Sequence, residues 1–112
     1  MPIANCILSP NAPDKSISSV NMIELWGKHS GLDTSEMTVT VVRGEAQFGK
    51  EYLAVCSLNL PTIWSSKSIS LLQLGLSSAI SEYYGLDASK VRVMTSLIES
   101  GYVVEGGSEI KW

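Results

Sequence analysis

The chain has 112 residues, a length typical of one compact domain, and 45% of them are hydrophobic whereas only 17% are charged. This composition excludes intrinsic disorder, and its low charge leads us to expect that part of the apolar surface meets another copy of the chain. The formal net charge of −3 and the lack of a basic run argue against nucleic acid or a polybasic membrane patch as a partner.

The cellular setting is suggested by what the sequence lacks. No apolar stretch approaches the roughly 20 residues that a membrane-spanning helix needs, and the N-terminus has no basic and apolar signal segments. We therefore expect a cytoplasmic protein. Cys6 and Cys56 fit neither a zinc-ligand spacing nor a disulfide framework, so the sequence predicts no metal site and two reduced thiols.

Two short segments occur twice, in the same order and at nearly the same spacing. Lys15-Ser16-Ile17-Ser18 returns as Lys67-Ser68-Ile69-Ser70, and Gly31-Leu32-Asp33-Thr34-Ser35 returns as Gly85-Leu86-Asp87-Ala88-Ser89. Such self-similarity indicates the duplication of a supersecondary unit. We therefore predict one domain over residues 1–112, with an internal repeat at about 2–50 and 52–107.

The first half predicts a strand, a helix and a strand. The first strand is expected over residues 2–8, and Asp14 can cap a helix that runs to about His29. The apolar stripe of this helix consists of Ile17, Val20, Ile23 and Trp26. Gly31 serves as its C-terminal stop, and alternating apolar and polar residues predict a second strand over 37–42.

The second half predicts the same order of elements. A near-continuous apolar run favours a buried strand over residues 52–60, and a helix is expected to begin at Ser65 or Ser66 and to stop at Gly85. The buried face of this helix consists of Ile69, Leu72, Leu76, Ile80 and Tyr83. A further alternating strand is expected over residues 91–97.

Helices of this length allow the strands on either side to run parallel. Two such units predict an α/β fold, more specifically an α+β two-layer sandwich, in which a four-stranded sheet carries two helices on one face. The other face needs cover, which favours a closed, symmetric homo-oligomer. The ferredoxin-like sandwich has the same element order with an antiparallel sheet, and element order alone does not separate the two folds.

Pro2 is a candidate catalytic residue because it follows the initiator methionine. A small second residue normally permits removal of Met1, which would leave the nitrogen of Pro2 as a free secondary amine. An α-amino group has a pKa of about 7.7 to 8.0, and burial or a nearby cation lowers it further, so this nitrogen can act as a general base at neutral pH. If Met1 stays, the nitrogen is an amide without useful basicity.

Several segments carry a family resemblance. Pro2-Ile3-Ala4-Asn5 at the start of the first strand, and Val91-Arg92-Val93 leading to Gly106-Gly107, resemble the 4-oxalocrotonate tautomerase family. Ala54-Val55-Cys56-Ser57-Leu58 is similar to the third strand of the macrophage migration inhibitory factor branch, whose members carry two fused units. The resemblance covers nearly the whole chain and implies the tautomerase superfamily. It implies trimers with a pocket between subunits, where a terminal proline moves a proton on a small α-keto or enol acid without a metal or organic cofactor.

The resemblance also implies substrate-binding residues. Arg92 falls on the position of an arginine that binds the substrate carboxylate, although a solvated strand residue is the alternative. Trp64 stands where shorter members have a second arginine, a role that an indole cannot fill. Lys67, one turn later, can supply a charge instead or be an ordinary helix-start residue. Tyr102 can donate a hydrogen bond in the pocket or pack at a subunit boundary.

The leading hypothesis is a tautomerase-like isomerase that uses Pro2 as general base for keto-enol proton transfer on a small keto or enol acid. A non-catalytic interaction protein of the same fold is the alternative, because Trp64 and Leu32 replace an arginine and a lysine of the family's pockets. Hydratase or dehalogenase action, with protonated Pro2 as the acid, is a further alternative that lacks the same arginine.

Overall fold

The computed structural model describes residues 1–14 and 18–112. The two helices in these ranges are α1 (Met22–Ser30) and α2 (Ser66–Tyr84), and a short 3-10 helix covers Ala88–Lys90. The strands are β1 (Ile3–Leu8), β2 (Thr38–Arg43), β3 (Ala54–Pro61), β4 (Val91–Ile98), β5 (Val103–Glu105) and β6 (Ser108–Ile110). None of the described helices is both long enough and apolar enough to cross a membrane.

A four-stranded sheet has the order β2-β1-β3-β4, and β5 pairs with β6 in a separate hairpin. Strand β1 runs parallel to β2 and β3 runs parallel to β4, whereas the central pair β1 and β3 is antiparallel. The two β-α-β units and the four-stranded sheet were predicted correctly. The parallel pair of β1 and β2 excludes the ferredoxin-like alternative.

The core lies between one face of the sheet and the two helices. Alternate residues of the central strands point into it, and all of them are nearly or completely buried: Ala4, Cys6, Leu8, Ala54, Cys56, Leu58 and Leu60. Leu25 and Trp26 of α1 and Leu72, Leu76 and Ile80 of α2 cover this face. The sheet therefore has one face packed on helices and one face without cover in the single chain.

Helix α2 follows its sequence pattern closely. The side chain of Ser65 accepts a hydrogen bond from the backbone of Ser68, so Ser65 is the N-cap. Gly85 ends the helix in the left-handed region at φ 67°, where a residue without a Cβ is favoured. The predicted apolar stripe is the buried face, because Leu72, Leu76 and Ile80 have no exposed surface.

Helix α1 is shorter than the sequence predicted. The expected start at Asp14 was wrong, because Asn21 is the N-cap and its side chain accepts a hydrogen bond from the N–H of Ile23 at 2.7 Å. Ser18 forms a local turn instead, with its hydroxyl accepting from the N–H of Val20 at 3.0 Å. Val20 is therefore exposed outside the helix, and Ile17 lies outside the described residues.

The repeated Gly-Leu-Asp-x-Ser segments form the same local structure after each helix. Gly31 and Gly85 are both left-handed C-caps. The Oδ1 atoms of Asp33 and Asp87 accept hydrogen bonds from the backbone N–H two residues later, at 2.7 and 2.9 Å. Hydrogen bonds from Ser35 and Ser89, respectively, lower the pKa of each of these carboxyl groups. The bounds of the internal repeat remain a prediction.

The open face of the sheet is apolar for a surface exposed to water. Its apolar members include Ile3, Ile7, Val42 and Met94, each between a third and just over half exposed. The strand register places the polar side chains of Asn5, Thr40 and Ser57 among them. Among the non-terminal residues of the described strands of this sheet, Arg92 is the one charged side chain that points toward this face.

Candidate active site

Pro2 lies at one end of the sheet, immediately before the central strand β1. The residue is buried, and its carbonyl oxygen accepts a hydrogen bond from the N–H of Thr38 at 3.0 Å. The register of Ile3 with Thr38 on one side and Asn59 on the other places Pro2 between β2 and β3. Met1 precedes it in the chain, so the nitrogen of Pro2 is an amide until Met1 is removed.

Trp64 lies at the same end, because β3 runs antiparallel to β1 and ends where β1 begins. The residue is partly buried against the core. Its indole Nε1 is buried and has no hydrogen-bond partner among the described residues. The other two indoles are paired: that of Trp26 donates to the carbonyl of Leu72 at 2.9 Å and that of Trp112 to the hydroxyl of Thr62 at 3.0 Å.

Lys67 and Tyr102 are also at this end. Lys67 is exposed in the first turn of α2, where a positive charge opposes the helix dipole. Tyr102 follows the end of β4, which is parallel to β3, and 82% of it is exposed. The structure therefore brings Pro2, Trp64, Lys67 and Tyr102 to one end of the molecule. Their roles as site residues stay a prediction.

Arg92 lies at the other end of the sheet. It pairs with Val55, which pairs with Ile7, five residues beyond Pro2 on β1, so roughly 16 Å separates Arg92 from Pro2 along the strand direction alone. Arg92 also points to the open face, whereas Pro2 is in phase with the buried residues Ala4 and Cys6. Within one chain the two residues cannot contact the same small molecule.

Tyr52 is a neighbour of Arg92 that the sequence did not point to. Nη1 of Arg92 donates a hydrogen bond to the phenolic oxygen of Tyr52 at 3.1 Å. This hydrogen bond is the main cause of a lowered pKa of Tyr52. The two residues are distant in sequence, and only the parallel pairing of β3 with β4 brings them together.

Two surface grooves lie elsewhere on the chain. One, of about 280 Å³, is between the start of α1, the end of α2 and β2, and Tyr83 and Tyr84 line it. The other, of about 250 Å³, is between α2 and β4, and Leu74 and Val93 line it. Neither groove is lined by a predicted site residue.

The two thiols lie side by side in the middle of the sheet. Cys6 and Cys56 are cross-strand neighbours on β1 and β3, and both are completely buried and free. Contact with the thiol of Cys6, together with burial, raises the pKa of Cys56. The thiol of Cys56 is therefore held in the neutral form, which is a poor nucleophile.

No protein-family model matches the chain. No curated protein matches its sequence. Solved structures do match. A wild-type fused 4-OT described as a symmetric trimer, where 4-OT stands for 4-oxalocrotonate tautomerase, has a TM-score of 0.72 at 15% identity, over 96% of this chain and 94% of that one.

Two further structures agree over most of the chain. A macrophage migration inhibitory factor-like protein from Entamoeba histolytica has a TM-score of 0.67 at 13% identity, over 97% of this chain and 98% of that one. N1, a member of the cis-3-chloroacrylic acid dehalogenase family, has a TM-score of 0.68 at 9% identity, over 96% and 82%. The chain has the tautomerase fold. The TM-scores establish this fold. Because the sequence identities are low, the chemistry has to be argued from the residues of the chain itself.

Proposed function

We propose that this chain is a tautomerase-superfamily isomerase that uses the nitrogen of Pro2 as a general base on a small keto or enol acid. The observation that carries the proposal is the place of Pro2, buried at the start of a central strand of a tautomerase fold. Burial lowers the pKa of a terminal amine from its usual value of about 7.7 to 8.0. Removal of Met1 is a condition of the proposal, because only the free amine accepts a proton.

The proposed reaction moves one proton within the substrate. The amine of Pro2 takes the proton from the enol oxygen, and the protonated amine returns a proton to the carbon at the other end of the enol double bond. The carbon-oxygen bond thereby becomes a carbonyl, and the carbon-carbon double bond becomes a single bond. The reaction needs neither a redox step nor a cofactor. Hydrogen-bond donors near the substrate oxygen stabilise the charge that develops there. Tyr102, which is exposed, is proposed as such a donor. Trp64 is proposed as a second donor on the condition that substrate binding uncovers its buried, unpartnered indole N–H.

We also propose that the active protein is a homotrimer with the substrate bound between subunits. The open face of the sheet is apolar and needs cover, and the fused 4-OT structures are trimers. Because Arg92 is distant from Pro2 within one chain, it can hold the substrate carboxylate only for the Pro2 of another copy. Lys67 lies at the Pro2 end and is proposed to add a second positive charge. The cytoplasm is the proposed location.

The proposal is tested with the ketonisation of phenylenolpyruvate by the wild type and by Pro2→Ala. Alanine is also small, so Met1 removal is preserved, but the secondary amine is lost. We expect kcat/KM to fall by roughly 10²- to 10⁴-fold, the usual contribution of a general base. Pro10→Ala is the matched control, because Pro10 is exposed in the loop after β1. Equal rates for the wild type and Pro2→Ala would reject Pro2 as the base.

A non-catalytic interaction protein is the second candidate. One observation favours it: Trp64 carries no charge where a substrate-binding arginine is expected. The intact mass of the mature protein separates the candidates. A mass that includes Met1 supports the interaction protein, whereas a mass without Met1, together with phenylenolpyruvate turnover, supports the isomerase.

A further inference from the structure

Lys50, Tyr52 and Arg92 form a cationic cluster at the sheet end opposite Pro2. The guanidinium carbon of Arg92 lies 5.7 Å from the centroid of the Tyr52 ring, and Nζ of Lys50 lies 5.4 Å from the same centroid. Both distances are within the range of a cation–π interaction. Two positive charges therefore face one aromatic ring on an accessible part of the chain, because Lys50 and Arg92 are exposed and Tyr52 is only half-buried.

Neither cation of this cluster has an acidic partner in the described part of the chain. The nearby cations do: Nζ of Lys90 is 3.9 Å from Glu51, and Nη2 of Arg43 is 4.0 Å from Asp14. The carboxylate of Glu51 faces Lys90 and the amide of Asn11, not the cluster. The positive charge of Lys50 and Arg92 is therefore not neutralised within residues 1–14 and 18–112.

The hydrogen-bonding groups that this cluster leaves free are donors. The phenolic oxygen of Tyr52 accepts from Nη1 of Arg92, which leaves the hydroxyl hydrogen of Tyr52 for another acceptor. The ammonium of Lys50 also donates toward Tyr52. The guanidinium has four further N–H groups, and the structure shows no acceptor for them among the described residues. Planar guanidinium and a phenol O–H match the oxygens of a carboxylate.

The cluster is held in place by the fold. The backbone N–H of Tyr52 donates to Oε1 of Gln47 at 2.9 Å, which anchors Tyr52 in the loop between β2 and β3. Arg92 is fixed by the pairing of β4 with β3. The hydrogen bond from Arg92, and to a smaller extent the charge of Lys50, lowers the pKa of Tyr52, in agreement with a positive field at the ring.

The proposed function already assigns the substrate carboxylate to Arg92. We propose that Tyr52 and Lys50 complete this carboxylate-binding site: Tyr52 orients Arg92 and donates its O–H to the carboxylate, and Lys50 adds charge. The inference rests on the proposed function only in taking the carboxylate to be that of a substrate whose reacting end lies at Pro2 of another copy. Tyr52 and Lys50 are thereby assigned roles as positioning and specificity residues.

Binding of crotonate, an unreactive carboxylate, tests the site without any turnover, and crotonamide is its neutral control. The readout in the full-length wild type is the Cζ resonance of Tyr52 in protein labelled with ¹³C-tyrosine, compared with those of Tyr83 and Tyr84. We expect crotonate to shift the Tyr52 resonance saturably and to raise the pKa of Tyr52, because the anion offsets the positive field. Crotonamide is expected to do neither.

Three variants assign the roles, with folding checked by circular dichroism. Arg92→Gln is expected to weaken crotonate binding about tenfold or more, since it removes a charge-assisted hydrogen bond, and Lys50→Gln and Tyr52→Phe about twofold to tenfold. In the first two variants these changes are followed at the Tyr52 resonance, and in Tyr52→Phe by calorimetry. Lys28→Gln, an exposed lysine on α1, makes the same change of net charge and is expected to bind as the wild type does.

The inference is overturned if the wild type shows no saturable binding of crotonate, or if Arg92→Gln or Tyr52→Phe binds with wild-type affinity. Equal binding of crotonamide would also overturn it, because a carboxylate site must depend on charge. Failure of the proposed function is a separate outcome. Crotonate binding with no phenylenolpyruvate turnover supports the carboxylate site and rejects the isomerase. Turnover with no crotonate binding supports the isomerase and rejects the carboxylate site.

Discussion

The three tryptophans differ in what their indole N–H groups do. Those of Trp26 and Trp112 donate hydrogen bonds, whereas the buried Nε1 of Trp64 has no partner within the described ranges. A buried N–H without an acceptor costs free energy. In this fold Trp64 lies at the end that carries Pro2.

Substitution of single tryptophans by phenylalanine tests this difference. Trp26→Phe is expected to lower the free energy of unfolding by about 2–4 kcal/mol, because it removes a buried hydrogen bond and leaves a cavity. Trp64→Phe is expected to lower it by at most about 1 kcal/mol, because the loss of an unpaired N–H offsets part of the lost contact. Urea unfolding followed by far-ultraviolet circular dichroism measures both. A larger loss for Trp64→Phe than for Trp26→Phe would mean that the indole of Trp64 has a partner in the native protein.

The two repeated aspartates predict a contribution to acid stability. Hydrogen bonds from Ser35 to Asp33 and from Ser89 to Asp87 lower the pKa of both carboxyl groups from the usual value of 3.8. The ionised forms are favoured in the folded state, so this stabilisation is complete above pH 3.8 and is lost as the pH falls through the lower folded pKa.

The aspartate pKa values are measured by NMR titration. Ser89→Ala is expected to raise the pKa of Asp87 by removing a hydrogen bond of 2.7 Å from the serine hydroxyl, while Asp33 in the same molecule keeps its lowered value as an internal control. An unchanged pKa of Asp87 in this variant would contradict the assignment of the shift to Ser89.

At the scale of elements, the contact between the two helices depends on a residue without a side chain. Gly75 of α2 faces Ser30 of α1, and a Cβ built on Gly75 would lie 2.9 Å from the backbone nitrogen of Ser30. Atoms at that distance overlap, and the atom that must move is backbone. The helices approach this closely because position 75 is a glycine.

Gly75→Ala is expected to lower the free energy of unfolding by about 1–3 kcal/mol, the usual cost of overpacking, even though alanine is the better helix former. Ser78→Ala, on the exposed side of the same helix, is the control and is expected to be neutral or slightly stabilising. Urea unfolding measures both variants. A gain in stability from Gly75→Ala would show that the helices can separate without cost.

The elements with strong periodic patterns could be predicted from the sequence, and the weak start of α1 could not. The stripe and both caps of α2 are local features, so residues 65–85 were placed correctly. For α1, the interval of three continues through Ile17 and Val20, but the serine hydroxyls and Asn21 compete locally for backbone N–H groups. Which of Asp14 and Asn21 caps the helix depends on that competition and not on periodicity.

The candidate site was only partly predictable, because register decides which distant residues meet. The antiparallel pairing of β1 and β3 brings four predicted residues to one end of the sheet: Pro2, Trp64, Lys67 and Tyr102. The order of elements in two β-α-β units does not specify that pairing. The same pairing puts Cys6 beside Cys56, and the parallel pairing of β3 with β4 puts Tyr52 near Arg92. Spacing in the sequence carries no signal for these contacts.

At the scale of the whole molecule, the open face of the sheet predicts the state of association. Ile7, on the central strand β1, is 50% exposed on this face. Burial of a charge there without a partner is costly, so Ile7→Glu is expected to dissociate the proposed trimer into monomers. Ser78→Glu, on the outer side of α2, is the control and is expected to remain associated.

Sedimentation velocity at micromolar concentration measures the mass in solution. The wild type is expected at three protomers of 12.1 kDa each, and Ile7→Glu at one. A wild type that sediments as a monomer at this concentration would contradict the trimer, and with it the delivery of Arg92 to the Pro2 of another copy.

Covalent labelling of the mature protein by 3-bromopropiolate tests the role of Pro2 most directly. If the nitrogen of Pro2 is a free amine in a binding pocket, mass spectrometry will find one label per chain, on Pro2 of a chain without Met1, and phenylenolpyruvate turnover will decline in proportion to labelling. A protein that keeps Met1 at full activity, or that loses activity with Pro2 unlabelled, would contradict Pro2 as the catalytic base.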